Sequence, residues 1–386
     1  MLRAGASVKR GFRVVARGPR GMRGCFVANL HLSVEISGYY RYIRIVMSGF
    51  CFRTGVISAA VAALFCGAVF VGCSVRPPMV CDREAMYETI EALCADSMAG
   101  RRAASGGDLR AARMLAGMME KAGCKPLWDD AVVPFHLENT MKALHTGNLD
   151  FAKRFFAGPW RDPTYNVAMV IRSGYPDAPK VVLGAHYDHI GKLVVGDSDT
   201  KDTLMLRGAN DNASGAVAVM EIARRLRPYA HDFKRDLVLT LFSAEEMGLV
   251  GSRLMATMLR DSAVNVGYMV NLEMLGRLKE DNFRMHLFVD DMDAMKQISV
   301  PNVDSLSVGV VMNNSGASDH LSFTAMGIPA ALFATDDMAT LHQATDTPES
   351  LNMEGMERVV NYIMRNVYAL LTAERLPSPN RTQKAQ

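Results

Sequence analysis

The chain has 386 residues, of which 49% are hydrophobic and 22% charged, with a formal net charge of +3. That positive balance belongs to the N-terminus: residues 1–72 hold ten basic and one acidic residue, leaving 33 basic against 39 acidic beyond them, a net of −6. The bulk of the chain therefore carries no nucleic-acid footprint, and because all seven cysteines lie before residue 125 a cysteine-based zinc site is excluded.

Residues 1–46 carry nine Arg or Lys against one Glu without clear periodicity, and Met47 opens a more ordinary signal, so the upstream stretch reads as an over-extended start. An apolar run over 56–71 follows Arg53 and ends in Val71-Gly72-Cys73, with no acidic residue between Glu35 and Asp82. A basic flank, a short apolar core and small residues before a cysteine describe an export signal. Phe70-Val71-Gly72-Cys73 resembles the bacterial lipobox, which implies a lipid on Cys73 and a tether over 73–80. An uncleaved membrane anchor is the alternative. Either reading places the rest of the protein outside the cytoplasm, in the bacterial cell envelope facing the periplasm or the cell surface. Cys81, Cys94 and Cys124 then remain, an odd number that permits one disulfide or three free buried thiols.

Asp82 is placed to cap a helix over 83–93, and 108–121 carries a helical stripe of Leu109, Ala112, Leu115, Ala116 and Met119 that Gly123 is placed to end. Between 128 and 165 the pattern is irregular and aromatic-rich. Strands and helices then alternate: strands at 181–185, 237–242, 268–272, 285–289 and 330–333, helices at 213–226, 251–259 and 353–371. Such alternation predicts one α/β domain over 81–376 with a largely parallel central sheet, followed by a disordered tail over 377–386.

The strand ends carry the chemistry. His186-Tyr187-Asp188 follows the first strand, Asp211 sits in a Gly-flanked turn before a helix, and Glu245-Glu246 follows the second strand. Glu273 ends the third, and His342 and Asp346 lie in a loop after the last. In open α/β sheets ligands bind beyond the carboxyl ends of strands. Imidazole and carboxylate donors suit zinc, and a carboxylate can bridge two ions. Each segment has a plain alternative: a loop histidine, an N-capping aspartate, a capped strand end. Jointly they are hard to attribute to chance. Adjacent carboxylates at a buried strand end repel, and a cation relieves that penalty, so Glu246 reads as a ligand and Glu245 as a proton acceptor. Asp188 is placed to orient His186, and Asp346 is near enough in sequence to support His342.

These segments, with Ser97-Met-Ala-Gly100-Arg101-Arg102 upstream, resemble the M28 family of zinc metallopeptidases over roughly 82–371. The resemblance implies a zinc-exopeptidase type of α/β fold: a three-layer sandwich with a mixed, largely parallel sheet flanked by helices. It implies two Zn2+ ions, one held by His186 and Glu273, the other by Glu246 and His342, with Asp211 bridging. Glu245 would be the general base on a water shared by the ions, Asp188 would orient His186, and the Asp211–Asn212 peptide would be cis. Two departures stand out: Glu273 where the family commonly has Asp, and Leu341 where many relatives carry an aromatic residue. Ser318-Asp319-His320 matches a recurrent family motif and reads as pocket lining outside the ligand set. The implied activity is an aminopeptidase acting on peptide or protein N-termini. The rivals are a single-zinc glutaminyl cyclase, a carboxypeptidase of the same fold, and a non-catalytic surface lipoprotein.

Overall fold

The computed structural model describes residues 13–16, 28–36, 39–45, 78–147, 149–156, 158–196, 202–279, 284–289, 301–312, 317–335 and 341–377. The chain divides into two units, 1–75 and 76–386. In the first, strands β1 (Arg13–Ala16), β2 (Ala28–Ile36) and β3 (Tyr39–Ile45) form an antiparallel sheet where no element was expected from the sequence. The apolar run over 56–71, Cys73 and the tail from 378 lie outside the described residues. Among the described residues no helix is long and apolar enough to cross a membrane.

In the second unit Asp82 caps α1 (Arg83–Cys94), its carboxylate accepting the Ala85 N–H at 3.2 Å. Helix α2 (Gly107–Lys121) buries Ala112, Leu115, Ala116 and Met119, and Gly123, at φ 91°, turns the chain at its end. Between them a 3-10 turn (Asp96–Arg101) takes Ala99, Gly100 and Arg101 through left-handed backbone. A side chain at Gly100 would strike Gly191 Cα at 2.4 Å and Leu206 O at 2.5 Å, so glycine is required there. Strand β4 (Lys125–Pro126) follows, and strand β5 (Val132–Phe135) and helices α3 (Leu137–Ala143) and α4 (Leu149–Phe155) lie in the aromatic-rich interval.

Among the described residues nine more strands and four α-helices follow: β6 (Thr164–Ile171), β7 (Lys180–His186), the hairpin β8 (Gly191–Val195) and β9 (Asp202–Leu206), α5 (Gly215–Leu226), β10 (Leu237–Phe242), α6 (Val250–Asp261), β11 (Val266–Glu273), β12 (Arg284–Val289), β13 (Ser307–Met312), α7 (His320–Thr324), β14 (Ala330–Thr335) and α8 (Met353–Thr372), of which the strands other than the hairpin join the main sheet. Its order is β13-β12-β14-β11-β7-β10-β6-β4, with β5 also paired to β6. The central strands β14, β11, β7 and β10 are parallel, whereas β6 and β12 run against their central neighbours. The largely parallel sheet expected from the alternation is thus present, and it is mixed as the resemblance implied.

Two-residue alternation sorts side chains to opposite faces. Val181, Leu183 and Ala185 join the larger core with residues of α1, α2, α5 and α8, while Val182 joins Val238, Met269 and Ala330 with Met255, Ala256 and Leu259 of α6. Helices therefore cover both faces, and the central strands are buried almost throughout, as parallel strands must be. Because the four parallel strands end on one edge, His186, the segment after Phe242, Glu273 and Thr335 are delivered to the same rim. Cys81, Cys94 and Cys124 are free and buried.

Candidate metal centre

His186 is the last residue of β7, directly across from Phe242 of β10. Its ring is fixed by a contact of Nδ1 with the Asp188 main-chain carbonyl, 3.1 Å; the Asp188 carboxylate stands at 3.7 Å and accepts the Glu245 N–H at 3.2 Å. Asp188 therefore reaches His186 chiefly through its backbone, while its side chain ties the His186 and Glu245 segments together. His186 Nε2 faces Glu273 Oε1 at 3.1 Å and Asp211 Oδ1 at 3.4 Å.

Asp211 is held in an irregular turn before α5, and its peptide with Asn212 is cis. Asn212 Oδ1 accepts the N–H groups of Gly215 and Met274, and its Nδ2 donates to Leu272 O, which locks this turn to the end of β11. Asp346 accepts the Asn210 N–H at 2.7 Å and the Asp211 N–H at 3.0 Å. The aspartate expected to support His342 thus secures Asp211 instead, because the loop carrying it folds back over the turn at 209–211.

After β10 the chain turns sharply, with Ala244 at φ 58° and the Glu245 carbonyl accepting the Gly248 and Leu249 N–H groups. This presents Glu245 and Glu246 half-buried at the rim. Glu246 Oε2 lies 2.9 Å from His342 Nε2, and Asp211 Oδ2 lies 3.4 Å from the same nitrogen. Asp211 thus presents one oxygen to His186 and the other to His342.

His189, which the sequence reading passed over, completes the cluster. Its Nδ1 is 2.9 Å from Glu246 Oε1 and 3.6 Å from Asp211 Oδ2. The signal was available as a second histidine three residues after His186 in His186-Tyr187-Asp188-His189. Gly208, at φ 62°, lets the two loops meet: a Cβ there would lie 2.4 Å from the His189 ring and 2.2 Å from Asp211 O. Beneath the rim, Ser318 Oγ donates to Glu273 Oε2 at 2.6 Å and accepts from Asn271 Nδ2 at 2.8 Å. Burial pushes the neighbouring Asp319 carboxyl up to about 7.

A buried guanidinium braces both ligand loops. Arg101 donates to the carbonyls of Tyr187 (2.7 Å), Leu93 (2.9 Å), Arg207 (2.8 Å) and Gly208 (2.6 Å) and is fully inaccessible to solvent.

The electrostatics of these groups are those of a cation site. Burial lifts the Glu245 carboxyl well above its ordinary range, and Glu246, Asp319 and Glu273 add to the effect against His186. Burial also opposes ionisation of Asp211, yet His189, His186 and His342 hold it low. Hydrogen bonding to Asp211 and Glu246 carries the His342 imidazole up to about 10. Asp211 Oδ2 is buried without a hydrogen-bond partner among the described residues. Two sets of donors could each surround an ion: His186, Asp211 and Glu273, and His189, Asp211 and Glu246. A tetrahedral zinc ion with ligands at about 2.05 Å sets neighbouring donor atoms about 3.3 Å apart. The observed separations of 3.1 and 3.4 Å in one set, and 2.9 to 3.6 Å in the other, bracket that value, so the residues fit the metal.

The model of peptidase family M28 matches residues 166–367. Aminopeptidase YwaD of Bacillus subtilis is 29% identical over 229 residues, which cover 54% of this chain and 44% of that protein. The chain thus spans less than half of that relative's length. The LapA aminopeptidase of Legionella pneumophila superposes with a TM-score of 0.57 at 22% identity, covering 77% of this chain and 73% of that one. A glutaminyl cyclase of Bacteroides thetaiotaomicron superposes with a TM-score of 0.52 at 16% identity, covering 76% and 98%. At these identities the two structural likenesses speak to the fold.

Proposed function

Because the chain belongs to peptidase family M28, we propose that it hydrolyses peptide bonds with two zinc ions, removing residues from peptide or protein N-termini. The observation that carries the reading is the division of the Asp211 carboxylate, with Oδ1 beside His186 and Oδ2 beside His342. In this reading His186 and Glu273 hold one ion, Glu246 and His342 the other, and Asp211 bridges them. Zinc held there supplies Lewis acidity toward a peptide carbonyl and makes a nearby water easier to deprotonate.

Glu245 belongs to neither donor set and stands at the rim, tied by its N–H to Asp188. Its carboxylate takes the proton from the attacking water and returns it to the leaving amine, and a carboxyl raised by burial above its ordinary range holds that proton more readily between the two transfers. Asp188 positions His186 and Glu245 together. Ser318 fixes Oε2 of Glu273, so the longer side chain, where aspartate is common in the family, is oriented by its own hydrogen-bond partner.

A glutaminyl cyclase shares the fold, but two donor sets favour hydrolysis over single-ion chemistry. Export through the signal around 56–71, anchoring by lipid on Cys73 and a single peptidase domain over 81–376 complete the proposal. The test is metal analysis of the purified protein with a scan of aminoacyl-fluorophore substrates, with and without chelator. The expected result is two zinc ions per chain and chelator-sensitive release of N-terminal residues. One zinc with cyclisation of N-terminal glutamine, or zinc-loaded protein inert on a broad peptide panel, would overturn it.

A further inference from the structure

We infer that His189 is a metal ligand through Nδ1, the fourth protein donor at the position formed by Asp211, Glu246 and His342, and that the two metal positions are consequently unequal. This rests on the two-zinc reading above. The geometry is that of a shared coordination sphere: His189 Nδ1 lies 2.9 Å from Glu246 Oε1, and His342 Nε2 lies 2.9 Å from Glu246 Oε2. Both nitrogens approach the same Asp211 oxygen, at 3.6 and 3.4 Å. The rings stand at 60° with centroids 5.7 Å apart, as two donors on adjacent corners of one polyhedron would.

The surroundings of His189 support this role over that of a loop histidine. The residue is fully buried, and Nε2 has no hydrogen-bond partner among the described residues, so the ring's polar contacts all point at the carboxylate pair. Its ring is packed against Gly208, where a Cβ would lie 2.4 Å from it. A polar ring buried in this way needs a strong partner to offset the cost of its burial.

Four protein donors close a zinc sphere, whereas three leave a position for water or substrate. The position of His186, Asp211 and Glu273 is thus the open one, and that of His189, Asp211, Glu246 and His342 the closed one. The closed position retains its ion when the open one is emptied.

Zinc X-ray absorption on the wild-type protein counts the imidazoles directly. Three per two ions are expected, and two per two ions would overturn the proposal without recourse to any variant. Graded chelation should release zinc in two steps. In His189→Ala the affinity of the more tightly held ion should fall by more than about 100-fold, since loss of a residue that merely orients a ligand costs about 10–100-fold. Unchanged retention in a variant with wild-type circular dichroism would overturn the assignment. Wild-type protein holding a single zinc would sink the two-ion reading alone, because two imidazoles on that ion, in place of one, would still place His189 in its sphere.

Discussion

Replacing Arg101 with methionine isolates the contribution of the brace beneath the metal loops. Methionine fills much of the volume of the arginine stem, so the effect comes from the lost donors. Gly208 O would keep a bond from the Ala213 N–H at 3.2 Å, and Arg207 O a weak contact with the Cys94 thiol at 3.7 Å. The Tyr187 and Leu93 carbonyls lose the donors at 2.7 and 2.9 Å. Two to three stranded carbonyls at about 1–2 kcal/mol each give a destabilisation of about 2–6 kcal/mol. The buried charge also disappears, and with it a desolvation cost of several kcal/mol, which holds the net effect to this range despite the four charge-assisted bonds removed. Against a total stability of about 5–15 kcal/mol this is a large fraction. Urea unfolding of the zinc-loaded and zinc-stripped variant measures it, and zinc affinity should fall in parallel, because Tyr187 and Gly208 adjoin the ligand residues. Arg101→Lys should recover little, since one ammonium cannot span four carbonyls. Wild-type unfolding midpoints and zinc affinity in Arg101→Met would refute the reasoning.

Glu245→Gln should retain both zinc ions while turnover falls by about 10²–10⁴-fold, the usual worth of a positioned general base; metal analysis beside steady-state kinetics checks both halves, and full activity would remove Glu245 from its role. Gly208→Ala faces a left-handed backbone cost of about 1–2 kcal/mol plus overlap with the His189 ring and Asp211 O, so its zinc content should fall more than its unfolding midpoint. Burial pushes the Cys81 thiol up to about 12, with Glu357 and Glu221 adding to the rise. Its contribution to stability is complete below the unfolded thiol value of about 8.5 and is lost as pH rises from there toward about 12. Urea midpoints of the wild type should therefore decline more steeply over that window than those of Cys81→Ala, and parallel curves would contradict the assignment.

The architecture was legible wherever periodicity was strong. The strands at the sheet centre are continuous apolar runs, and α1, α2 and α8 carry unambiguous stripes or caps. Strand β6, at the far end of the aromatic-rich interval, was missed, since its pairing depends on partners distant in the chain. The hairpin β8–β9 and strand β13 were missed too, being short and only partly apolar. At the site, residues on strand ends were legible because strand direction alone fixes where they emerge. His189 and the true partner of Asp346 depend on how loops fold back, which no local pattern encodes. Arg101 was noticed only as part of a resemblance, since a charged residue that serves main-chain carbonyls leaves no complementary acid in the sequence to find.

Asp346 ties the two ends of this design together. It comes four residues after His342, yet its bonds secure the Asn210 and Asp211 amides, more than 130 positions earlier. A chain cut short before that aspartate would lack the anchor of the Asp211 turn, and His342 as well if cut earlier, however well its earlier strands had assembled. On the proposed peptidase reading, hydrolytic competence would thereby belong to the finished tertiary structure alone, and truncated chains or nicks that free this last loop should be inert proteins rather than weak peptidases.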